Sequence, residues 1–402
     1  MPKRISPLLA EIAPSATYAL FDMVQSLRAR GISLLDLGGG EPDFATPAHI
    51  STAASTAIDD GWTHYTPSRG IPALLDAIAG KLALDNHVVI DPQTQVVVTP
   101  SAKHALFVAL MTVLGPGDEV IIPTPSWVSY KAMAQMMGAQ AVELPLDASN
   151  GFALTAAALA QKLSPRTRAI LINSPNNPTG HMLDEHEAAL IADFAEQHGL
   201  VIIADEIYEK IAYGKPHISI ASLPKASDRT LTINGFSKAY AMTGWRLGYI
   251  AGPRDLIDAA LTATQHTVGC AGAFIQQGGL AALTGDQAPI TAMREAYDLR
   301  RKRVVDGLNA IDGLRCIDPD GAFYAFADIS GLGLGSSAEV TQWLLREAGV
   351  VVTPGSAFGA GGEGYIRLSF ATSTDVVTAA VERIRTAIAD TKARRSNPLV
   401  TV

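Results

Sequence analysis

The sequence reads AILINSPNNPTG over residues 169–180, LVIIADEIY over 200–208 and LTINGFSKAYAMTGWRLGY over 231–249. Each stretch opens with a short run of β-branched and other apolar residues, which is typical of a buried strand. Each run ends in a cluster of polar residues. Because open α/β sheets bind ligands outside the carboxyl ends of their strands, the three clusters predict one site at a single edge of a sheet.

Further runs of the same kind raise the number of strand candidates to seven; they lie at 95–99, 119–123, 141–145 and 247–252. Helix-length segments separate most of the candidates, for example 102–114, 127–137, 183–198 and 254–266. Strands that alternate with helices predict an α/β fold whose mostly parallel sheet is covered on both faces. We expect this large domain to span residues 50–287.

The two ends of the chain have a different pattern. Residues 1–50 predict a helix, a short strand and the Gly/Pro-rich segment GGGEPDFATP at 38–47. A long charged helix begins near residue 288 and leads into short strands and further helices. This pattern predicts a smaller α+β domain built from residues 1–49 and 288–402. Two units also suit the length of 402 residues, because a single core stops growing at about 250–300 residues.

Composition excludes several classes of partner. Apolar residues make up 48% and charged residues 17%, and 31 basic against 39 acidic side chains give a net charge of −8. Without a basic run in the body of the chain, nucleic acid is not an expected partner. The longest apolar stretch, 105–115, is shorter than the roughly 20 residues that span a membrane. The two distant cysteines favour a reducing compartment, and we expect a cytoplasmic protein.

Several catalytic motifs are missing from the sequence. It contains no HExxH metal site, no Walker loop and no Gly-x-Ser-x-Gly nucleophile elbow, so we expect no bound metal. The polar clusters instead supply a lysine, an acid, a tyrosine and an arginine that follow strands: Lys238, Asp205, Tyr208 and Arg246. A lysine that forms a Schiff base and an acid that faces a pyridine nitrogen are what pyridoxal phosphate chemistry requires.

The motifs together resemble a known family. GFSKAYAMTGWRLG at 235–248, preceded by SPNNPTG and ADEIY, is similar to the lysine-attachment region of the class I and II pyridoxal-phosphate-dependent aminotransferases of fold type I. Asp205 lies 28 residues after Asn177, and Lys238 lies 33 residues after Asp205, as in that family. The resemblance covers about residues 14–390. It implies a seven-stranded sheet in the large domain, pyridoxal 5'-phosphate as the cofactor and a homodimer.

The resemblance assigns roles around the cofactor ring. Lys238 would bind the cofactor covalently and then act as the general base for the 1,3-proton shift. Asp205 would pair with the protonated pyridine nitrogen, although a helix N-cap is the plainer interpretation of this residue. Tyr208 and Asn177 would hydrogen-bond the phenolic oxygen, while Asn177 is also a common turn residue before proline. Trp127 would stack on the ring, unless it only packs in the core.

The phosphate group would lie at the start of the helix that follows the strand 95–99, because helix N-termini bind anions. The residues there are Ser101, Ala102 and Lys103, where family members often carry glycine at the first two positions. Arg246 matches the phosphate-binding arginine of the family, and Ser237 would add a hydroxyl group. Tyr65 corresponds to a tyrosine that reaches the phosphate of the neighbouring subunit, which would make the dimer the active unit.

Substrate-binding residues also follow from the resemblance. Arg367 would bind the α-carboxylate in a two-pronged contact, with a backbone N–H of Gly40 beside it and with Trp127 and Asn177 nearby. Some bacterial aspartate aminotransferases use a lysine and a threonine at the positions of Lys103 and Thr17 for the distal carboxylate. A helix-end lysine that points into solvent is the alternative interpretation of Lys103.

Two other positions bear on the substrate. A lysine found near the N-terminus of relatives that act on prephenate is replaced by Ala13, so that activity is not expected. Arg69 would add positive charge from the neighbouring subunit.

We therefore expect an aminotransferase that moves an amino group from an L-amino acid, aspartate or glutamate first, to a 2-oxo acid. The motifs leave open a lyase, a synthase or an oxidase on the same scaffold, and an aminotransferase for aromatic or neutral amino acids. A non-enzymatic effector domain of a transcription regulator is a further alternative, but such proteins carry an N-terminal DNA-binding extension.

Overall fold

The structure is a computed structural model and describes residues 4–396. Its helices are α1 Pro7–Ala10, α2 Ala16–Ala29, α3 Ala48–Asp59, α4 Pro72–Asn86, α5 Ala102–Val113, α6 Ser129–Met136, α7 Ala156–Lys162, α8 Glu185–His198, α9 Arg254–Thr267, α10 Ala273–Thr284, α11 Ala288–Asn309, α12 Ser337–Glu347 and α13 Thr374–Ser396. Its strands are β1 Leu35–Asp36, β2 Val96–Thr99, β3 Glu119–Thr124, β4 Gln140–Pro145, β5 Thr167–Asn173, β6 Val201–Asp205, β7 Thr230–Gly235, β8 Gly248–Ala251, β9 Arg315–Cys316, β10 Tyr324–Asp328, β11 Val350–Val351, β12 Thr353–Pro354 and β13 Tyr365–Ser369.

The seven predicted strands form one sheet in the order β2-β8-β7-β6-β5-β3-β4. Neighbours pair in parallel except at β8, which is antiparallel to both β2 and β7. Successive residues of β6 pack into different cores: Ile203 belongs to one hydrophobic cluster, whereas Ile202 and Ala204 belong to another. Apolar groups therefore cover both faces, as the continuous apolar strands predict, and the α/β fold with a mostly parallel sheet is confirmed.

The antiparallel strand β8 brings a glycine against the start of α5. Gly248 pairs with Thr99 of β2 on one side and with Gly235 of β7 on the other. A Cβ atom at position 248 would lie 2.3 Å from the backbone nitrogen of Ala102. Only glycine permits this approach, which places the end of the central sheet directly beneath the helix N-terminus.

Segments from both chain ends pair with one another. Strand β1 is parallel to β11, and a separate antiparallel sheet has the order β12-β13-β10-β9. Helix α11 packs on α13 and on strands β9 and β10. These contacts agree with one smaller unit drawn from both ends, while the domain limits at residues 50 and 288 stay predictions.

Neither of the two cysteines forms a disulfide: Cys270 is half-buried and Cys316 is buried. Within residues 4–396, no helix combines the length and the apolar character that a membrane crossing needs. The cytoplasmic location stays a prediction.

Candidate active site

The candidate site lies where β5, β6 and β7 end side by side. Asn177, Asp205 and Lys238 follow or end these three neighbouring parallel strands. Arg367 of β13 reaches the same place, because its Nη1 atom donates a hydrogen bond of 3.0 Å to Oδ1 of Asn177. The structure thus brings together residues that are up to 190 positions apart in the chain.

Lys238 points from the end of β7 towards the Gly/Pro-rich segment near the N-terminus. Its Nζ atom donates a hydrogen bond of 2.6 Å to the carbonyl oxygen of Gly40. Loss of hydration lowers the pKa of Lys238 from 10.5 to about 8, against the opposing effect of the Glu41 carboxylate. A larger fraction of this amine is neutral near pH 8 than for an ordinary lysine, which suits both a nucleophile and a general base.

Asp205 is a carboxylate only 3% exposed at the end of β6. Its Oδ2 atom accepts a hydrogen bond of 2.7 Å from the Tyr130 hydroxyl, and Oδ1 accepts one of 3.2 Å from the backbone of Ile207. Burial raises the pKa of Asp205 to about 6, although the Tyr130 hydrogen bond works in the opposite direction.

Two observations decide between the roles considered for Asp205. A turn follows this residue rather than a helix, so the N-cap interpretation is wrong. Among the described residues, no basic side chain forms an ion pair with Asp205. A buried carboxylate without a cation favours a cationic ligand, and a protonated pyridine nitrogen is one.

Arg367 is also buried without an opposite charge. Its guanidinium donates to the carbonyl oxygen of Gly38 at 2.7 Å and to the Thr353 hydroxyl at 3.2 Å, while Nε has no hydrogen-bond partner. The residue is 3% exposed, and no acidic side chain of residues 4–396 pairs with it. A guanidinium in this state is suited to bind a carboxylate from solution.

Tyr324 connects several of these groups, and the sequence analysis missed it. Its hydroxyl lies 2.8 Å from the Tyr208 hydroxyl, and its ring centroid lies 4.4 Å from the guanidinium carbon of Arg367. A Cβ atom at Gly40 would come within 2.7 Å of the Tyr324 hydroxyl, so this hydroxyl also explains the glycine. The surrounding sequence GAFYAF reads only as a strand.

The N-terminus of α5 forms the anion-binding end of the site. Ser101 is the N-cap residue, and its Oγ atom accepts a hydrogen bond from the backbone of His104 at 3.3 Å. Its φ angle of 109° lies in the region that favours glycine, so this serine holds a backbone conformation that glycine would adopt more readily. The first N–H groups of α5 also have no hydrogen-bond partners within the helix, and such groups bind anions.

Two further residues stand near this end. Ser237 is buried, and Arg246 is exposed with its Nη1 atom on the carbonyl oxygen of Thr243 at 2.7 Å. The positive charge of Arg246 is close enough to Lys238 to help lower its pKa.

The donor set fits pyridoxal phosphate. Lys238 would hold its aldehyde carbon, Asp205 its ring nitrogen, Asn177 and Tyr208 its phenolic oxygen, and the start of α5 with Arg246 its phosphate. A sequence model described as aminotransferase class I and II matches residues 32–384. The chain belongs to this aminotransferase family. It is an enzyme that depends on pyridoxal phosphate. The solved structures of its relatives confirm the predicted fold type.

Similar proteins cover nearly the whole aminotransferase. An aspartate aminotransferase of Musicola paradisiaca (strain Ech703) is 51% identical over 96% of this chain and 97% of its own. An aromatic-amino-acid aminotransferase 2 of Thermococcus litoralis is 40% identical over 96% and 99%. The structure of an aspartate aminotransferase from Thermus thermophilus with maleate has a TM-score of 0.91, 38% identity, and coverage of 95% and 99%.

On the open side of the aminotransferase site, Lys103 lies between two aromatic rings. Its Nζ atom is 4.8 Å from the ring centroid of Tyr18 and 5.0 Å from that of Trp127. Thr17 precedes Tyr18 in α2, so this helix supplies the side of the site that faces Lys103. The ammonium group therefore contacts aromatic rings instead of pointing freely into solvent. Trp127 is half-buried and meets Tyr130 edge-on at 5.3 Å, so it contributes to packing as well.

Two residues of the loop before α4 behave differently. Tyr65 is 96% exposed, so its side chain lies almost entirely in solvent. Arg69 donates to the carbonyl oxygen of Val96 and forms an ion pair of 3.0 Å with Asp258. Its guanidinium is thus engaged within its own chain, so the structure gives no support to the expected extra charge in a partner's site.

A second buried polar cluster lies outside the site. Single ligand atoms of Glu206, Glu209 and His217 lie within 4.8 Å of one another, a spacing that a metal ion would accept. The ammonium group of Lys81 already contacts Glu209, and Asn86 donates to the other oxygen of that carboxylate at 2.7 Å. A protein cation therefore neutralises the acid that a metal would need, and we assign no metal here.

Proposed function

We propose that this aminotransferase takes its amino group from aspartate or glutamate and passes it to a 2-oxo acid such as 2-oxoglutarate. The observation that carries the proposal is the second cation of the site, Lys103, held over the Trp127 ring at 5.0 Å. Arg367 supplies the first cation. Two separate cations match a substrate with two carboxylates, whereas a neutral amino acid needs only one.

Arg367 and its neighbours orient the substrate. The buried guanidinium, whose Nε atom has no hydrogen-bond partner, would take the α-carboxylate, while Asn177 and Gly38 keep the group in place through hydrogen bonds. Every substrate of both half-reactions needs this carboxylate, because a single arginine serves the amino donor and the acceptor in turn. Both must therefore be α-acids.

Lys238, Asp205 and Tyr208 act on protons around the cofactor. Pyridoxal phosphate, when bound, supplies an electron sink for the electron pair left by the α-proton. Lys238 would act as the general base that takes this proton and delivers it two atoms away, in a 1,3-shift, and its lowered pKa suits both transfers near neutral pH. Asp205 holds the ring nitrogen protonated, and the Tyr130 hydrogen bond keeps the carboxylate oriented.

The relatives support the acidic substrate but leave a second candidate. The Thermus enzyme was crystallised with maleate, a dicarboxylate, and relatives named aspartate aminotransferase are up to 51% identical. The second candidate substrate is an aromatic amino donor, because its ring would pack against the partly exposed rings of Tyr18 and Trp127. The relative from Thermococcus litoralis is named an aromatic-amino-acid aminotransferase.

A panel of amino donors tests the proposal. We expect kcat/KM for aspartate and glutamate, with 2-oxoglutarate or oxaloacetate as acceptor, to exceed the values for alanine and phenylalanine by about tenfold or more, since a charged hydrogen bond contributes about 1.5–3 kcal/mol. Equal or higher values for aromatic donors would favour the second candidate. Release of ammonia without an acceptor would instead indicate a lyase or an oxidase.

We also propose that the active unit is a cytoplasmic homodimer. A tyrosine that is 96% exposed on a hydrogen-bonded loop supports a role outside its own chain. The N-terminal segment supports a second copy as well, because it exposes several large apolar side chains: Ile5, Leu8, Leu9, Tyr18 and Phe21. Sedimentation of the purified enzyme at micromolar and nanomolar concentrations would measure this association.

A further inference from the structure

The side-chain amide of one glutamine in α10 fixes a loop through hydrogen bonds. Gln276 is 0% exposed, although its helix is otherwise mostly apolar. Its Oε1 atom accepts a hydrogen bond of 2.9 Å from the backbone of Ile71, and Nε2 donates to the Thr66 hydroxyl and to the carbonyl oxygen of Ala271, both at 2.9 Å. A single side chain thus holds both ends of the loop 66–71.

The middle of the same loop is fixed to the central sheet. The backbone of Val98 in β2 donates to the carbonyl oxygen of Arg69 at 2.8 Å. Gly70 adopts a φ angle of 126°, and a Cβ atom there would lie 2.7 Å from Cγ2 of Val98. The loop is therefore anchored along its length, and the exposed Tyr65 is bonded directly to its first anchored residue, Thr66.

We propose that Gln276 is a positioning residue that fixes the Tyr65 loop so that the tyrosine reaches the phosphate group in the partner subunit's site. The proposal rests on the proposed homodimer. A phenol that is held in place before the subunits meet loses less conformational freedom when it binds, which strengthens the contact. Gln276 itself touches neither cofactor nor substrate, so its effect on the site must pass through the loop.

The chemistry of the amide explains why this position holds glutamine. The Ile71 N–H needs an acceptor, whereas the Thr66 hydroxyl and the Ala271 carbonyl group need donors, and among side chains of this length only a carboxamide offers both. Methionine has nearly the same shape but satisfies none of them, and buried backbone groups would lose their partners. The loop would then be held only through Arg69 and Gly70, by β2 and by the ion pair with Asp258.

The test uses hybrid dimers of full-length subunits that carry two different purification tags. In the Gln276→Met homodimer, we expect the dissociation constant of pyridoxal phosphate to rise about three- to tenfold, as the ordering of a loop side chain costs about 0.5–1.5 kcal/mol. Binding is read after borohydride reduction, which fixes the cofactor only to a subunit that retains Lys238.

The decisive sample pairs a Gln276→Met subunit with a Lys238→Ala subunit. Its one labelled site has the loop of the Lys238→Ala subunit, in which Gln276 is intact, so we expect the wild-type dissociation constant. A hybrid of Tyr65→Phe with Lys238→Ala serves as the control, and it should also bind as wild type. If only the Gln276→Met hybrid stays weak, Gln276 acts within its own subunit and the inference is wrong.

The same samples separate this inference from the proposed dimer. If both hybrids stay weak, Tyr65 is not shared between subunits and the shared-site dimer itself fails. Should Gln276→Met prevent folding, Thr66→Val carries the same test, because it removes one hydrogen-bond partner of Gln276 from a half-exposed position. Thr66→Ser, which keeps the hydroxyl, should bind the cofactor like wild type, and a loss there would contradict the inference.

Discussion

Two regions of the site are built in opposite ways. We call the side that faces the cofactor the wall, and the side that faces the distal end of the substrate the rim. In the wall, Asp205 and Arg367 are each 3% exposed and are held by short hydrogen bonds. In the rim, Tyr18 is 59% exposed, and the Lys103 ammonium group lies over aromatic rings without a hydrogen bond or ion pair to any residue of 4–396. The side chains of the wall are therefore rigid, because each depends on several hydrogen-bond partners. In the rim, a single residue can be substituted without disturbing its neighbours.

This difference separates the reaction from its specificity. Buried charges of the wall are costly unless a ligand neutralises them, so the wall selects a cofactor and an α-carboxylate that do so. The rim acts through a half-exposed ammonium group, whose interactions water weakens. Changes in the wall should abolish or strongly reduce the chemistry with every donor, while changes in the rim should only shift the preference between donors.

The largest effect belongs to Lys238 in the wall. We expect Lys238→Ala to lower kcat for every donor by about ten thousandfold or more, since the variant loses the general base, which contributes up to about this factor, and also the covalent attachment of the cofactor. The fold should persist, because the side chain makes a single hydrogen bond to Gly40. Steady-state rates and circular dichroism measure the two effects, with Lys210→Ala as a surface control. Undiminished turnover, or borohydride fixation at another lysine, would contradict the assignment.

The next effect tests whether Asp205 acts through its charge. Asp205→Ala should lower kcat by about a hundred- to several thousandfold, because the loss of one partner from a buried pair costs about 3–5 kcal/mol, while cofactor binding is largely retained. It should also lower the free energy of unfolding by about 1–3 kcal/mol, as the buried Tyr130 hydroxyl loses its acceptor.

Asp205→Asn separates these two consequences. The amide keeps an acceptor for Tyr130, so thermal unfolding should return close to the wild-type temperature. The amide carries no charge, so kcat should stay low. Near-normal kcat in either variant would exclude the pairing with the ring nitrogen.

The same contrast explains how much the sequence could predict. All seven strands follow from local patterns, and so does the placement of Asn177, Asp205 and Lys238 at the ends of apolar strands, whereas the roles of these residues came from the family resemblance. The antiparallel direction of β8 was not predicted, although the connection from Gly235 to Gly248 contains no helix, which a parallel crossover usually needs.

Other features depend on contacts between distant segments. Tyr130 lies 75 residues before Asp205, and Tyr324 lies 116 residues after Tyr208, so no local pattern marks either pair. The position of Lys103 over the Tyr18 ring likewise depends on where the fold places α2 relative to the start of α5. Such contacts follow from the tertiary structure, and the sequence analysis predicted none of them.

The rim should respond selectively. We expect Lys103→Ala to lower kcat/KM for aspartate by about ten- to a hundredfold, since a charge-assisted hydrogen bond contributes about 1.5–3 kcal/mol. Alanine and phenylalanine lack the distal carboxylate and should be nearly unaffected. Lys302→Ala, at an exposed lysine of α11, serves as the control. Equal losses for acidic and neutral donors would place Lys103 with the cofactor wall instead.

The smallest effect lies where rim and wall meet, at the exposed Glu41. Its carboxylate favours the protonated form of Lys238, whose pKa loss of hydration has lowered to about 8. Glu41→Gln removes this negative charge, so the pKa of Lys238 should fall further and the neutral amine should increase at pH 7. Cofactor capture by the apoenzyme needs the neutral amine, so its rate rises with pH through about 8 in the wild type and through a lower pH in the variant.

At pH 7 we expect Glu41→Gln to capture pyridoxal phosphate about two- to threefold faster than wild type, because a fall of about half a pH unit in the pKa multiplies the neutral fraction by that factor. The gain should shrink at high salt, since the carboxylate is exposed and ions screen it. Stopped-flow absorbance over pH 6–10 measures the midpoint. Thr243→Val removes the hydrogen bond to Glu41 but no charge, so it should leave the midpoint in place. An equal shift in both variants would mean that the hydrogen bond, not the charge, sets the proton affinity of Lys238.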